Sequence, residues 1–167
     1  EASIAAFRAL AENGITLDGM GSARAYFDTL DAVAYLELHI EQGPVLEAMK
    51  KPVGVVLGTM GVERHNLRFV GQAAHSGAAP IHLRKDAFLA AAESALAFRE
   101  IAKRYSKPGA GVVCTVGVVN VEPRVVTAVP GVCEISIDQR ALDPEVLAAM
   151  HRDAHAATER AARENGC

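Results

Sequence analysis

Apolar residues at Ile4, Phe7, Leu10 and Ala11 recur at helical spacing and stop at Asn13-Gly14, which predicts an amphipathic helix over 3–13. A second short helix is predicted over 22–30. From Tyr35 to Glu41 the period falls to two: Leu36, Leu38 and Ile40 alternate with Tyr35, Glu37, His39 and Glu41. That spacing predicts a strand with an apolar row on one face and metal-ligand or acid–base groups on the other. Gly43-Pro44 turns the chain into a helical segment over 44–50, and the valine-rich run 53–60 reads as another strand. Gly19-Met20-Gly21 lacks the third glycine and the preceding strand of a dinucleotide-binding loop, so it reads as a turn.

Beyond Glu63 the pattern becomes strand (64–72), a loop with Gly77 and Pro80, a long helix (84–105), strand (111–121), a turn at Pro123, strand (131–140) and helix (144–164). The order β-α-β-β-α is one strand short of a split βαβ unit. A closing strand after Gly166 would complete a four-stranded antiparallel sheet with both helices on one face. The fold class is therefore α+β, with a domain boundary that places 1–62 in one domain and 63–167 in another. Glu1 already lies inside a helical pattern, and Cys167 directly follows the helix-ending Asn165-Gly166. Both ends are thus expected to be internal to a longer protein.

Half of the residues are hydrophobic and 22% are charged, enough to bury a core in one domain or one domain and part of another. A net charge of −3 offers no basic field for nucleic acid, and no basic amphipathic helix suggests a membrane surface. No apolar stretch approaches the ~20 residues needed to span a bilayer. These features predict a cytoplasmic protein. Cys114, Cys133 and Cys167 form no Cys-x-x-Cys pair and read as reduced structural thiols.

Three residues stand where chemistry could be done. His39 lies towards the end of the 35–41 run, where a following tight turn would expose it at a sheet rim; Glu37 or Glu41 could fix its tautomer. It is either a metal ligand or a half-exposed strand histidine, and one histidine alone cannot hold a metal. His75 lies in Gly71-Gln72-Ala73-Ala74-His75-Ser76-Gly77, among small residues that let a ligand approach. It could donate to a carbonyl that becomes an oxyanion, or it is simply a loop histidine. Arg140 shares a strand face with Glu134, Ser136 and Asp138, and its planar guanidinium suits either a ligand carboxylate or a surface ion pair. His151 and His155 sit one helical turn apart, but the glutamate and third ligand of a zinc-protease helix are missing, so they are set aside.

Four segments together resemble one family: Glu37-Leu38-His39-Ile40-Glu41-Gln42-Gly43-Pro44-Val45-Leu46-Glu47; Gly71 through Pro80; Arg84-Lys85-Asp86-Ala87; and Val129-Pro130-Gly131 through Arg140. They are similar to the N-carbamoyl-L-amino acid hydrolase, allantoate amidohydrolase and β-ureidopropionase group of the aminoacylase/carboxypeptidase-like zinc metallohydrolases. The resemblance implies part of an α/β metallohydrolase catalytic domain over 1–62, joined to a ferredoxin-like lid and dimerisation domain over 63–167 that lacks its last strand. It implies hydrolysis of a linear C–N bond in N-carbamoyl-L-amino acids or ureido acids such as allantoate or N-carbamoyl-β-alanine. It further implies two divalent metals, zinc or alternatively manganese, cobalt or nickel, and a homodimer formed through the lid.

Carried over position by position, the resemblance makes His39 a metal ligand and His75 a lid histidine that reaches the substrate carbonyl, usually from the partner subunit. It makes Arg140 the arginine that binds the substrate carboxylate. Thr127 replaces a substrate-binding asparagine of the family, keeping a hydroxyl but losing the amide's paired donor and acceptor. Val62 stands where a glutamine is often found. The remaining ligands and the general base have no counterpart, so this chain alone is expected to be inactive. An aminoacylase- or peptidase-like hydrolase of the same fold, or a non-catalytic dimerisation module, are the alternatives.

Overall fold

The computed structural model describes residues 8–109 and 111–167, with the side chains of all of these except Leu17, Ala23 and Phe27. It separates into two units, Glu1–Gly54 and Val55–Cys167.

In the first unit, residues 8–12 form helix α1; Ile4 and Phe7 of the predicted pattern lie outside the described residues. Helix α2 spans Leu17–Asp28 and contains Gly19 and Gly21, where a turn was expected. The Thr16 hydroxyl accepts from the Gly19 amide at 3.0 Å, an N-terminal cap that offsets part of the roughly 1 kcal/mol each interior glycine costs. Helix α3, Val45–Ala48, begins where the Glu41 carboxylate accepts from the amides of Val45 and Leu46 at 3.1 and 3.0 Å. The expected strands over 35–41 and 53–60 do not form. A strand needs a neighbour to satisfy its amides and carbonyls, and no segment among the described residues pairs with either run. Their apolar rows therefore stand in solvent, with Leu38 95% and Leu57 96% exposed.

The second unit is built on β6, Val132–Ala141, with β1, Gly61–Val70, antiparallel on one side in a ten-pair register from Gly61 opposite Ala141 to Val70 opposite Val132. On the other side lie two short strands, β3 (Val113–Thr115) and β4 (Val119–Glu122), where the hydrophobic pattern predicts one. Between them Val116, Gly117 and Val118 face only Ser136 and Ile137. The extra residue is a β-bulge, and the Ser136 hydroxyl accepts the Val118 amide that the ladder releases, at 3.0 Å.

Alternation along β6 sends Cys133, Ile135, Ile137, Gln139 and Ala141 into the core and leaves Glu134, Ser136, Asp138 and Arg140 on the opposite face. Over the inner face pack α4 (Ala87–Tyr105) and α5 (Pro144–Glu164). Each buries a stripe rich in alanine, Ala87, Ala90 and Ala91 on α4 and Ala154, Ala157 and Ala161 on α5, so both backbones lie close to the sheet. Phe98 and Met150 fill the space between. Asp86 and Asp143 cap the two helices through paired backbone amides. No helix among the described residues is long and apolar enough to cross a membrane.

Gln139 is fully buried in this core, yet neither its Nε2 nor its Oε1 has a hydrogen-bond partner among the described residues. A buried amide without partners costs about 1–3 kcal/mol, and methionine has similar volume. Gln139→Met in the full-length protein should therefore raise the denaturant midpoint of unfolding. A lowered midpoint would mean that solvent satisfies the amide in the cavity of about 130 Å³ that Gln139 lines with His65, Phe98 and His151.

Candidate functional site

His75 and Thr127 come together in a feature the hydrophobic pattern did not signal. A two-residue strand β2, Ala74–His75, pairs with β5, Ala128–Val129, and the Ser76 amide donates to the Thr127 carbonyl at 2.9 Å. The loop after His75 is closed by Ala78 and Ala79 amides on the His75 carbonyl, and Arg84 clamps it from outside. Its Nη2 donates to the Ser76 carbonyl at 2.6 Å and its Nε to the Ala79 carbonyl at 3.0 Å. Arg84 therefore positions this loop; the family-like Arg84-Lys85-Asp86 run carries a clamp and a helix cap.

The clamp sets the imidazole's chemistry. The Gly77 amide donates to His75 Nδ1 at 3.1 Å, so the ring proton resides on Nε2, which the exposed side chain presents outward as a donor. Gly77 is small for a reason: a Cβ there would come within 3.3 Å of the His75 ring.

Arg140 lies at the far end of β6, on the sheet face without helices. Its Nε and Nη2 donate to the two carboxylate oxygens of Asp138 at 2.8 and 3.0 Å. Arg64 joins from β1, its Nε 2.7 Å from Asp138 Oδ2. The Arg140 guanidinium first, and that of Arg64 second, hold the Asp138 carboxyl well below the usual carboxylate range. Its folded pKa is depressed, so these contacts stabilise above the ordinary carboxylate pKa and are lost only as pH falls through the lowered value. Val62 is the direct ladder partner of Arg140.

Sheet geometry separates the two clusters. Val132 to Arg140 is eight residues of strand, roughly 27 Å at about 3.4 Å per residue, with His75 and Thr127 attached beyond the Val132 end. Within one chain the structure does not bring His75 and Arg140 together.

His39, in the first unit, is exposed, and its Nδ1 lies against the Ile40 carbonyl oxygen. Nδ1–H donation to that carbonyl leaves the Nε2 lone pair available, the tautomer a metal-bound imidazole uses. Neither expected acceptor fixes it: Glu41 is spent capping α3, and Glu37 accepts from the Tyr35 hydroxyl at 2.9 Å. Among the described residues no three His, Cys, Asp or Glu side chains gather to hold a metal. An imidazole in this state could supply one metal ligand, and the described residues gather no full set beside it. His151 stacks on His65 at 4.6 Å and His155 faces Glu159 at 3.7 Å. Cys114, Cys133 and Cys167 are unpaired, and burial pushes all three thiols up, Cys114 to about 11. They are no nucleophiles at neutral pH.

No family model matches the chain. It is 35% identical over 145 residues to a probable allantoate deiminase from Oryza sativa subsp. japonica, covering 78% of this chain and 29% of the relative. It is 38% identical over 117 residues to an N-carbamoyl-L-amino-acid amidohydrolase from Paenarthrobacter aurescens, covering 70% and 28%. Among solved structures, AtUAH in complex with (S)-hydroxyglycine superposes with a TM-score of 0.72 at 30% identity, over 77% of this chain and 30% of that one. A hydantoinase/carbamoylase family amidase from Burkholderia multivorans gives 0.72 at 34% identity, over 77% and 30%. The chain spans about three tenths of the length of these relatives. Agreement of sequence and fold over most of its own length places it in the N-carbamoyl-L-amino acid hydrolase and allantoate amidohydrolase group, the hydantoinase/carbamoylase family.

Proposed function

We propose that the full-length protein carrying this chain hydrolyses the linear C–N bond of N-carbamoyl-L-amino acids or related ureido acids, allantoate and N-carbamoyl-β-alanine among them. It does so as a homodimer, with 1–62 contributing to a metal-binding catalytic domain and 63–167 acting as lid. The observation that carries this reading is the separation of His75 and Thr127 from Arg140 along β6. A ureido acid is far shorter than roughly 27 Å, so one substrate meets both clusters only if two chains supply them. A twofold dimer provides that arrangement twice over.

In such a site Arg140 holds the substrate carboxylate. His75 Nε2–H from the partner donates to the ureido carbonyl oxygen as charge develops there, and the Thr127 hydroxyl offers one further polar contact beside it. His39 would give its Nε2 to one of two divalent metals, zinc or alternatively manganese, cobalt or nickel. Bound metal supplies Lewis-acid polarisation and an activated water. One ligand is fewer than the three or four such an ion requires, so turnover belongs to the full-length protein and not to this chain alone.

The test is the hydrolysis of N-carbamoyl, N-acetyl and peptide derivatives of one amino acid by the full-length protein. Highest kcat/KM on the N-carbamoyl compound supports the reading. Preference for the N-acetyl compound or the peptide would make it aminoacylase- or peptidase-like, and turnover of none would leave a dimerisation module.

A further inference from the structure

The helix-free face of the sheet carries a groove of about 680 Å³ lined by Arg64, Asn66, Thr115, Ser136, Asp138 and Arg140, with the bulge residue Gly117 at its side. Two guanidinium groups and one carboxylate leave these side chains with one excess positive charge, surrounded by neutral hydrogen-bonding groups. That is the chemistry of an acid-binding surface.

Arg64 and Arg140 are diagonal neighbours across the β1–β6 ladder, since Arg64 faces Asp138 and Arg140 faces Val62. Two like charges at that spacing repel each other. Asp138 lies between them and accepts from both, so it holds together two groups that would otherwise splay apart. Asp138 engages only the Nε/Nη2 edge of Arg140 and only the Nε of Arg64. Nη1 of Arg140 and both terminal nitrogens of Arg64 stay available, on side chains 41% and 64% exposed.

We infer that Arg64 is a second carboxylate-contacting residue beside Arg140, and that Asp138 is the positioning residue that aims both guanidinium groups at a ligand carboxylate. This rests on the reading of Arg140 as the substrate-carboxylate arginine. It adds a cation from the neighbouring strand and assigns a role to the anion between them.

Calorimetric titration of the full-length protein with 4-oxopentanoate, a small acid without a hydrolysable C–N bond, and with 4-oxopentanamide, its neutral counterpart, separates the possibilities. Arg64→Gln should weaken the acid about 10-fold, as expected for one charge-assisted contact, and leave the amide within about twofold. Arg64→Lys should recover part of the loss. Asp138→Asn makes the groove more positive, so charge alone predicts tighter acid binding, whereas loss of positioning predicts weaker binding. An unchanged acid affinity in Arg64→Gln, equal losses on acid and amide, tighter acid binding in Asp138→Asn, or no binding of the acid by the wild type would each overturn the inference. Arg64-dependent acid binding in a protein that does not hydrolyse N-carbamoyl amino acids would refute the proposed activity and leave the inference standing. Hydrolysis that persists unchanged in Arg64→Gln would do the reverse.

Discussion

Arg140→Lys in the full-length protein is expected to lower kcat/KM for N-carbamoyl amino acids by roughly 10- to 150-fold, equivalent to about 1.5–3 kcal/mol for a charge-assisted hydrogen bond. Lysine retains the charge but loses the planar fork, and with it the simultaneous hold on Asp138 and on a ligand carboxylate. The side chain is partly exposed, so solvent keeps the loss below that of a fully buried pair. For the same reason folding should be nearly unaffected, since a surface ion pair contributes at most about 1 kcal/mol. Substrate amides lacking the carboxylate should lose far less. Equal losses on acid and amide would assign Arg140 a purely structural role.

The largest effect on stability is expected from Gly71→Ala. A Cβ at this position would stand 2.1 Å from the Lys85 carbonyl oxygen and 2.9 Å from its carbonyl carbon, both backbone atoms that no rotamer change can move. The crossing is held by Gly71 N–H on Gly131 at 2.8 Å, Gln72 N–H on Lys85 at 2.9 Å and Ala87 N–H on Pro130 at 3.1 Å. Prising it open strains or breaks these bonds together, at about 3 kcal/mol or more. The same crossing leads into the β2–β5 pair, so His75 should be displaced as well. Gly21→Ala is the contrast: it sits in α2 with nothing within 4 Å, and alanine there should be neutral or stabilising by up to about 1 kcal/mol. Urea denaturation of both variants checks the pair. Equal midpoints would contradict the packing at Gly71.

The second unit was largely legible because its elements signal themselves locally. The helical runs expected over 84–105 and 144–164 became α4 and α5, α4 beginning three residues later at its Asp86 cap, and strict alternation along 132–141 separates the buried row from the row that carries Asp138 and Arg140. Non-local features were not legible. The bulge at 116–118 depends on the register against β6, and β2–β5 pairs residues more than fifty positions apart with no periodicity of their own. Arg84's clamp on the His75 loop is likewise invisible in spacing. In the first unit, alternation over 35–41 predicted a strand that does not form, because no segment among the described residues pairs with it, and Glu41 proved to serve α3 rather than His39. The site residues themselves emerged from family-like motifs rather than from hydrophobic pattern, because His75 and Arg140 acquire meaning only where two ends of a sheet are compared.

The central claim is that one active site draws His75 from one subunit and Arg140 from the other, and subunit complementation measures it directly. Full-length His75→Ala and Arg140→Ala should each be nearly inactive. When the two are co-expressed, statistical pairing makes about half the dimers mixed, each with one site in which both residues are intact, so activity should return to about a quarter of the wild-type value. No recovery above the separate variants, in a preparation shown to contain mixed dimers, would place both residues in the same subunit's site and contradict the account.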